Sequence, residues 1–199
     1  KKKSEKNAKS GSMAEMFGHK TWRKNAIIGL LLGVSGMIGL WGIGFFSPEL
    51  ISEALKGEKQ EVIDQVRGQG TILFDIGAFL GMSAFTFVAT LVSRRMAFLI
   101  FLILSMAATI FVFNSLNSAS DAYWMLPMMG FAQLSLFAGY SIYFPELFPT
   151  RLRGTGVGFC YNTVRYLAAP APILLAYLST TLSFREGASL MACVYILGI

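Results

Sequence analysis

Apolar residues in this chain come in long, nearly unbroken blocks separated by short polar stretches, not at the three- and four-residue spacing of helices that bury one face. Blocks of this length read as membrane spans. They predict spans at about 25–46, 70–92, 96–114, 122–144 and 154–178. A last apolar run, 187–199, would reach only about 20 Å across a hydrocarbon core about 30 Å thick, and is expected to be a sixth span cut off where the sequence ends. The expected fold class is therefore all-α, a polytopic membrane helix bundle with five complete transmembrane helices and a truncated sixth, preceded by a basic segment over 1–24.

Two stretches depart from the simple block pattern. Over 50–67, Leu50, Ile51, Ala54, Leu55, Val62, Ile63 and Val66 alternate with Glu53, Lys56, Glu58, Lys59, Glu61 and Asp64, which predicts one or two short amphipathic helices at the membrane edge, interrupted near Gly57. In the first span, Gly29, Gly33, Gly36, Gly39, Gly42 and Gly44 leave a groove along one side, as close helix contact requires. Trp41 reads as an interfacial anchor and Ser47-Pro48-Glu49 as the end of that span.

Composition agrees, with 54% hydrophobic and 14% charged residues. The net charge of +6 does not point to nucleic acid, because the basic residues cluster beside the ends of apolar blocks. Residues 1–24 carry eight Lys or Arg; with Arg94, Arg95, Arg151 and Arg153 they put twelve on one face, against Lys56, Lys59, Arg67 and Arg185 on the other. The positive-inside bias then makes 1–24 and the loop after the fourth span cytoplasmic. Cys160 and Cys193 fall in apolar blocks and form no disulfide framework or metal-ligand spacing. No secretory signal opens the sequence, which lacks an initiator Met and reads as a piece of a longer chain. His19 is the only histidine, no nucleophile–base set can be assembled, and no cofactor is implied, so an enzyme is not expected.

The stretch from Tyr143 to Gly158 joins two apolar blocks through Pro145, Glu146, Pro149, Arg151 and Arg153, and ends in Gly154, Gly156 and Gly158. The two prolines are expected to stop the incoming helix and the glycines to open the next with little bulk. The run Pro145-Glu146-Leu147-Phe148-Pro149-Thr150-Arg151-Leu152-Arg153-Gly154 resembles the loop between the tenth and eleventh helices of major facilitator superfamily transporters, in the sugar-porter-like and metabolite:proton symporter branches. The resemblance implies the C-terminal six-helix half of a transporter, with an N-terminal six-helix half of the same chain as its partner. It further implies a plasma (inner) membrane setting, a small-molecule substrate, protons as coupling ion, and alternating access. It also implies a cytoplasmic latch built from Glu146 with Arg94, Arg95, Arg151 and Arg153. The other reading is that Arg94 and Arg95 only fix topology while Glu146 caps a helix. The family's second charged motif is incomplete: Thr86, Thr90, Leu91 and Ser93 stand before Arg94-Arg95, and its Asp is missing.

Two charges fall inside spans, where each costs at least about 2.5–3.5 kcal/mol at mid-bilayer unless compensated. Arg165 lies about 16 Å from the cytoplasmic end and shares a helix face with Gly158, Asn162 and Ala169. It reads either as a group that binds a substrate anion or tunes a proton-carrying acid, or as a structural contact to carbonyls. Asp75, about 8 Å deep from the other side, reads as a proton-coupling acid or as a group that snorkels to the interface. Gln133, Tyr140, Tyr161 and Asn162 offer hydrogen-bonding groups to a polar solute or to neighbouring helices, and Pro170-Ala171-Pro172 breaks the fifth span as a hinge or a fixed kink. An organic anion is the first expectation for the substrate and a sugar the second; the competing class is a non-transporting sensor or scaffold of the same fold.

Overall fold

Glycine-lined crossings set the arrangement of this bundle. A computed structural model describes residues 11–199; residues 1–10, the first part of the predicted basic segment, lie outside the described residues. After a short helix α1 (Met13–Gly18) comes α2 (Lys20–Met37), which runs through a widened π turn at Ile38–Ile43 and a tight 3-10 turn at Gly44–Phe46 into α3 (Ser47–Ala54). Then follow α4 (Gln60–Leu91), α5 (Arg94–Ser115), α6 (Ala119–Glu146), α7 (Arg153–Ala168), α8 (Ala171–Leu178) and α9 (Phe184–Ala192), with a 3-10 stretch at Cys193–Gly198. The protein is an all-α polytopic bundle, and no strand occurs among the described residues. Four continuous helical stretches, Lys20–Ala54, Gln60–Leu91, Arg94–Ser115 and Ala119–Glu146, are long and apolar enough to cross a membrane.

The closest crossing joins α4 to α6. A Cβ added at Gly77 would sit 1.9 Å from the Pro127 carbonyl oxygen, one at Gly81 2.0 Å from that of Phe131, and one at Gly130 2.1 Å from that of Phe74. With backbone on the other side, no side chain can move aside, so only glycine fits. This is the small-residue contact that lets membrane helices gain packing where no hydrophobic force separates lipid from protein. The glycines of α2 work differently, because they face side chains: Gly33 meets Val164, Gly36 meets Tyr140 and Gly39 meets Tyr195. The Tyr140 hydroxyl donates to the Leu32 carbonyl at 3.0 Å, and Ser105 Oγ on α5 donates to the Ala132 carbonyl of α6 at 2.8 Å. Phe85 meets Phe98 edge to face at 5.0 Å between centroids, and Phe98, Tyr140 and Phe144 then stack at 5.7 and 5.0 Å to fill the space between α4, α5 and α6.

Three boundaries differ from the sequence expectation. The amphipathic stretch does not stay separate: α3 ends, Gly57 takes a left-handed φ of +110°, and α4 then runs from Gln60 straight into the span. At 32 residues α4 is about 48 Å long, so its charged first turns project beyond an apolar core of about 30 Å. Arg67 ties that projection to α3, with its Nε donating to the Pro48 carbonyl at 3.1 Å and its guanidinium 3.7 Å from Glu49. At the hinge, Pro145 does not stop α6, which continues to Glu146. A proline in the last turn forfeits one hydrogen bond where the helix is ending anyway, and Pro149 bars the helical conformation at Phe148. Finally, the fifth predicted span is two helices, because α7 ends at Ala168 and α8 begins after Pro170.

Capping fixes the turns on the face opposite the basic segment. Ser118 with Asp121, and Ser183 with Glu186, form reciprocal capping boxes at the starts of α6 and α9. The amide and hydroxyl of Ser183 donate to the Glu186 carboxylate and hold its pKa below the usual range. Arg185 closes the α5 end by donating to the Leu116 carbonyl at 2.7 Å.

Candidate functional site

Arg165 sits on the outward face of α7, where Asn162 is also exposed, while Cys160, Val164 and Ala168 turn inward against α2. Its guanidinium opens on a groove of about 570 Å³ lined by Trp41, Phe45, Ala168, Ala169 and Pro172. No carboxylate lies within 4 Å of it among the described residues. Among the described residues Arg165 therefore has neither a paired acid nor a carbonyl cage, and an anionic group entering the groove would meet an uncommitted fork of five donors.

The break between α7 and α8 shapes that groove. Proline has no amide to continue the ladder, so the chain turns at Ala169-Pro170 and restarts with Leu174 N donating to the Pro170 carbonyl at 2.9 Å. Ala169 and Pro172 thus present small, flat surface beside Arg165. On the facing side, the π turn and the 3-10 turn carry Trp41 and Phe45 outward while Gly42, Ile43 and Gly44 stay buried. The sequence marks Trp41 as an interfacial anchor and gives Phe45 no role; the glycine cluster is the local signal that the helix is irregular there.

Other residues expected at the site stand elsewhere. Gln133 and Tyr140 are fully buried: Gln133 Nε2 donates to Thr109 Oγ1 at 2.8 Å, and Tyr140 holds Leu32. Both join helices and neither lines the groove. The Gln133 Oε1 and Tyr195 Oη atoms have no hydrogen-bond partner among the described residues. Tyr161 lies across from Ser141, hydroxyl to hydroxyl at 3.3 Å, and Asn162 donates back to the Gly158 carbonyl at 2.9 Å. Asp75 is exposed on α4 and makes no ion pair with Arg165. Thr71, Ser83, Thr86 and Thr90 share its outward side, but each hydroxyl donates to a carbonyl of its own helix, so lipid could cover them at little cost.

The charges of the face that carries the basic segment split into separate contacts. Arg94 Nε lies 3.6 Å from Glu146 Oε1, and Arg94 also donates to the Ala89 carbonyl at 2.8 Å near the end of α4. The two side chains are 38% and 48% exposed, so the pair contributes at most about 1 kcal/mol. Arg153 donates to the Pro145 carbonyl at 3.0 Å, and Arg95 lines a second groove, of about 500 Å³, with Lys24 and Tyr143.

Arg151 turns away from Glu146 altogether. It pairs with Glu15 of α1 and lies 5.1 Å over the Trp22 ring. The rest of α1 is seated as well: Met16 is fully buried, Phe17 meets Phe159 edge-on at 5.2 Å, and Thr155 Oγ1 donates to the Gly11 carbonyl at 2.9 Å. The second part of the basic segment is thus docked on the loop between α6 and α7 and not simply solvated. Arg151→Ala should raise amide exchange over Met13–Gly18 by about five- to thirtyfold while leaving α4–α6 unchanged, given roughly 0.5–1 kcal/mol each for a half-exposed ion pair and an exposed cation–π contact. Unchanged exchange in α1 would show that Met16 and Phe17 hold it alone.

Comparison with known proteins adds two distant relatives. The chain is similar to the cis,cis-muconate transport protein of Acinetobacter baylyi, 25% identical over 189 residues, which is 95% of this chain and 44% of that protein. It is also similar to a probable 4-methylmuconolactone transporter of Cupriavidus pinatubonensis, 22% identical over 174 residues, 87% of this chain and 39% of that protein. No family model matches and no solved structure matches. The chain spans less than half the length of the curated relatives it matches, and both are named as transporters.

Proposed function

We propose that this chain is one half of a secondary active transporter of the major facilitator type, which carries a small organic anion by alternating access of a mid-membrane site. The observation that carries this reading is Arg165, a cation within an apolar block that has no acidic partner among the described residues and lines a groove beside a proline break. Its role is to bind a carboxylate of the substrate. The similarity to proteins named for muconate and methylmuconolactone transport supports an anion over a sugar. A second six-helix bundle, supplied by the rest of a longer chain, would cover the outward faces of α4 and α7 and complete the passage.

In this reading Asp75 carries the coupling proton and Arg94–Glu146 is the cytoplasmic latch that closes the inner side in the outward-facing state. Asn162 and Tyr161 add polar contacts beside Arg165. Glu146→Gln should shift the complete protein toward the inward-facing state by up to about fivefold, the equivalent of the 1 kcal/mol ceiling for an exposed pair. Unchanged labelling of cysteine reporters at the two faces would remove the latch from the mechanism. The function itself is tested by uptake of benzoate, sorbate and glucose into vesicles carrying the complete protein. Uptake of the acids but not glucose is expected; uptake of none would favour a non-transporting sensor, and of glucose alone a sugar carrier.

A further inference from the structure

Trp41 and Phe45 face the Arg165 groove with their rings 5.7 Å apart and their planes inclined by 36°. They are 45% and 65% exposed, in a stretch whose neighbouring residues, Gly42, Ile43 and Gly44, are buried. The π turn is what makes this arrangement possible: it widens the helix by one residue, and such turns recur at functional sites. The opposite wall, Ala168, Ala169 and Pro172, is small and flat. The groove is therefore a slot lined by one cation, two aromatic side chains and a small aliphatic wall.

We infer that Trp41 and Phe45 determine specificity by stacking on the substrate, so that the groove selects flat, conjugated carboxylates over saturated ones of equal charge and size. This rests on the reading of Arg165 as the anion-binding group. A saturated acid presents the same carboxylate to Arg165, but its puckered carbon chain meets the rings edge by edge. A dienoic or aromatic acid lays a π face against them with the carboxylate coplanar and in line with the guanidinium. Among the described residues the one cation–π contact is Arg151 over Trp22, so no cation competes for either ring. An interfacial anchor, the plain alternative for Trp41, would contribute to placement in the membrane and nothing to the choice between two acids.

The test is equilibrium binding of two matched pairs to the purified complete protein: sorbate against hexanoate, and benzoate against cyclohexanecarboxylate. The wild type should prefer the flat member of each pair by about two- to tenfold, the range of a ring-stacking contact. Trp41→Leu with Phe45→Leu should erase that preference by weakening the flat acids alone, and Trp41→Phe should keep most of it. Equal binding of the two members of each pair by the wild type, or a preference that survives the double substitution, overturns the inference. Arg165→Gln separates it from the reading beneath it, since loss of all four acids upholds the anion site whatever the rings do. Undiminished binding of all four to Arg165→Gln would remove the anion site and the slot together.

Discussion

Arg165→Gln is expected to lower carboxylate uptake by about 10- to 100-fold, the equivalent of the roughly 1.5–3 kcal/mol that a charged hydrogen-bonded contact contributes. The folded protein should accumulate normally and unfold at the same temperature or higher. That combination follows from the geometry: the guanidinium makes no ion pair within the bundle, so its removal leaves no orphaned acid and relieves the cost of a charge at mid-membrane. Arg165→Lys should fall between, because an ammonium keeps the charge but loses the planar fork. If the side chain were instead a structural contact, thermal stability and uptake would fall together and Lys would rescue neither. Uptake by reconstituted vesicles and a thermal melt of the same preparations distinguish the two outcomes.

The largest effect on folding is expected at the crossing of α4 and α6. Gly77→Ala and Gly81→Ala each place a methyl about 2 Å from a carbonyl oxygen of the partner backbone, so the helices must separate along the whole contact. Overpacking a side-chain core costs about 1–3 kcal/mol, and a backbone obstacle, which has no rotamer to change, should reach or pass the top of that range. The double substitution should leave too little folded protein to measure transport. Gly68→Ala on the same helix is the control, since a Cβ there meets nothing within 4 Å and alanine favours the helix by about 1 kcal/mol. Thermal melts in detergent report all three. Equal stability of Gly77→Ala and Gly68→Ala would mean the two helices are not in backbone contact.

The charges between α6 and α7 show how far loop motifs carry and where they stop. The hinge residues Glu146, Arg151 and Arg153 are close in sequence, which made one shared latch the simple expectation. The fold gives each a different neighbour, because Pro145 stays helical and turns Glu146 toward the start of α5, while the turn at Pro149–Leu152 aims Arg151 at α1. One ion pair thus joins helices of the bundle, and the other seats the segment that enters it.

Gln133 and Tyr140 make a related point. A polar residue inside an apolar block is visible in any sequence, since the bilayer penalises it wherever it lies. Whether it meets a solute or a neighbouring helix depends on its direction around the helix, and a nearly uniform apolar surface gives no amphipathic face from which to read that direction. Thr109 and the Leu32 carbonyl, 24 and 108 residues away, decided it here.

By itself the sequence determined that this is a helical membrane protein, that its basic residues gather on one side of the spans, that glycines mark close crossings, and that Arg165 falls within an apolar block. Each of these is set by local cost: apolar length against bilayer thickness, charge against lipid, and bulk against a neighbouring backbone. Only the tertiary structure decided that α2 opens into a π turn, that Trp41 and Phe45 share a groove with Arg165, and that α1 docks on the hinge loop. Those outcomes depend on contacts between residues far apart in the chain, for which one sequence carries no local energetic signature.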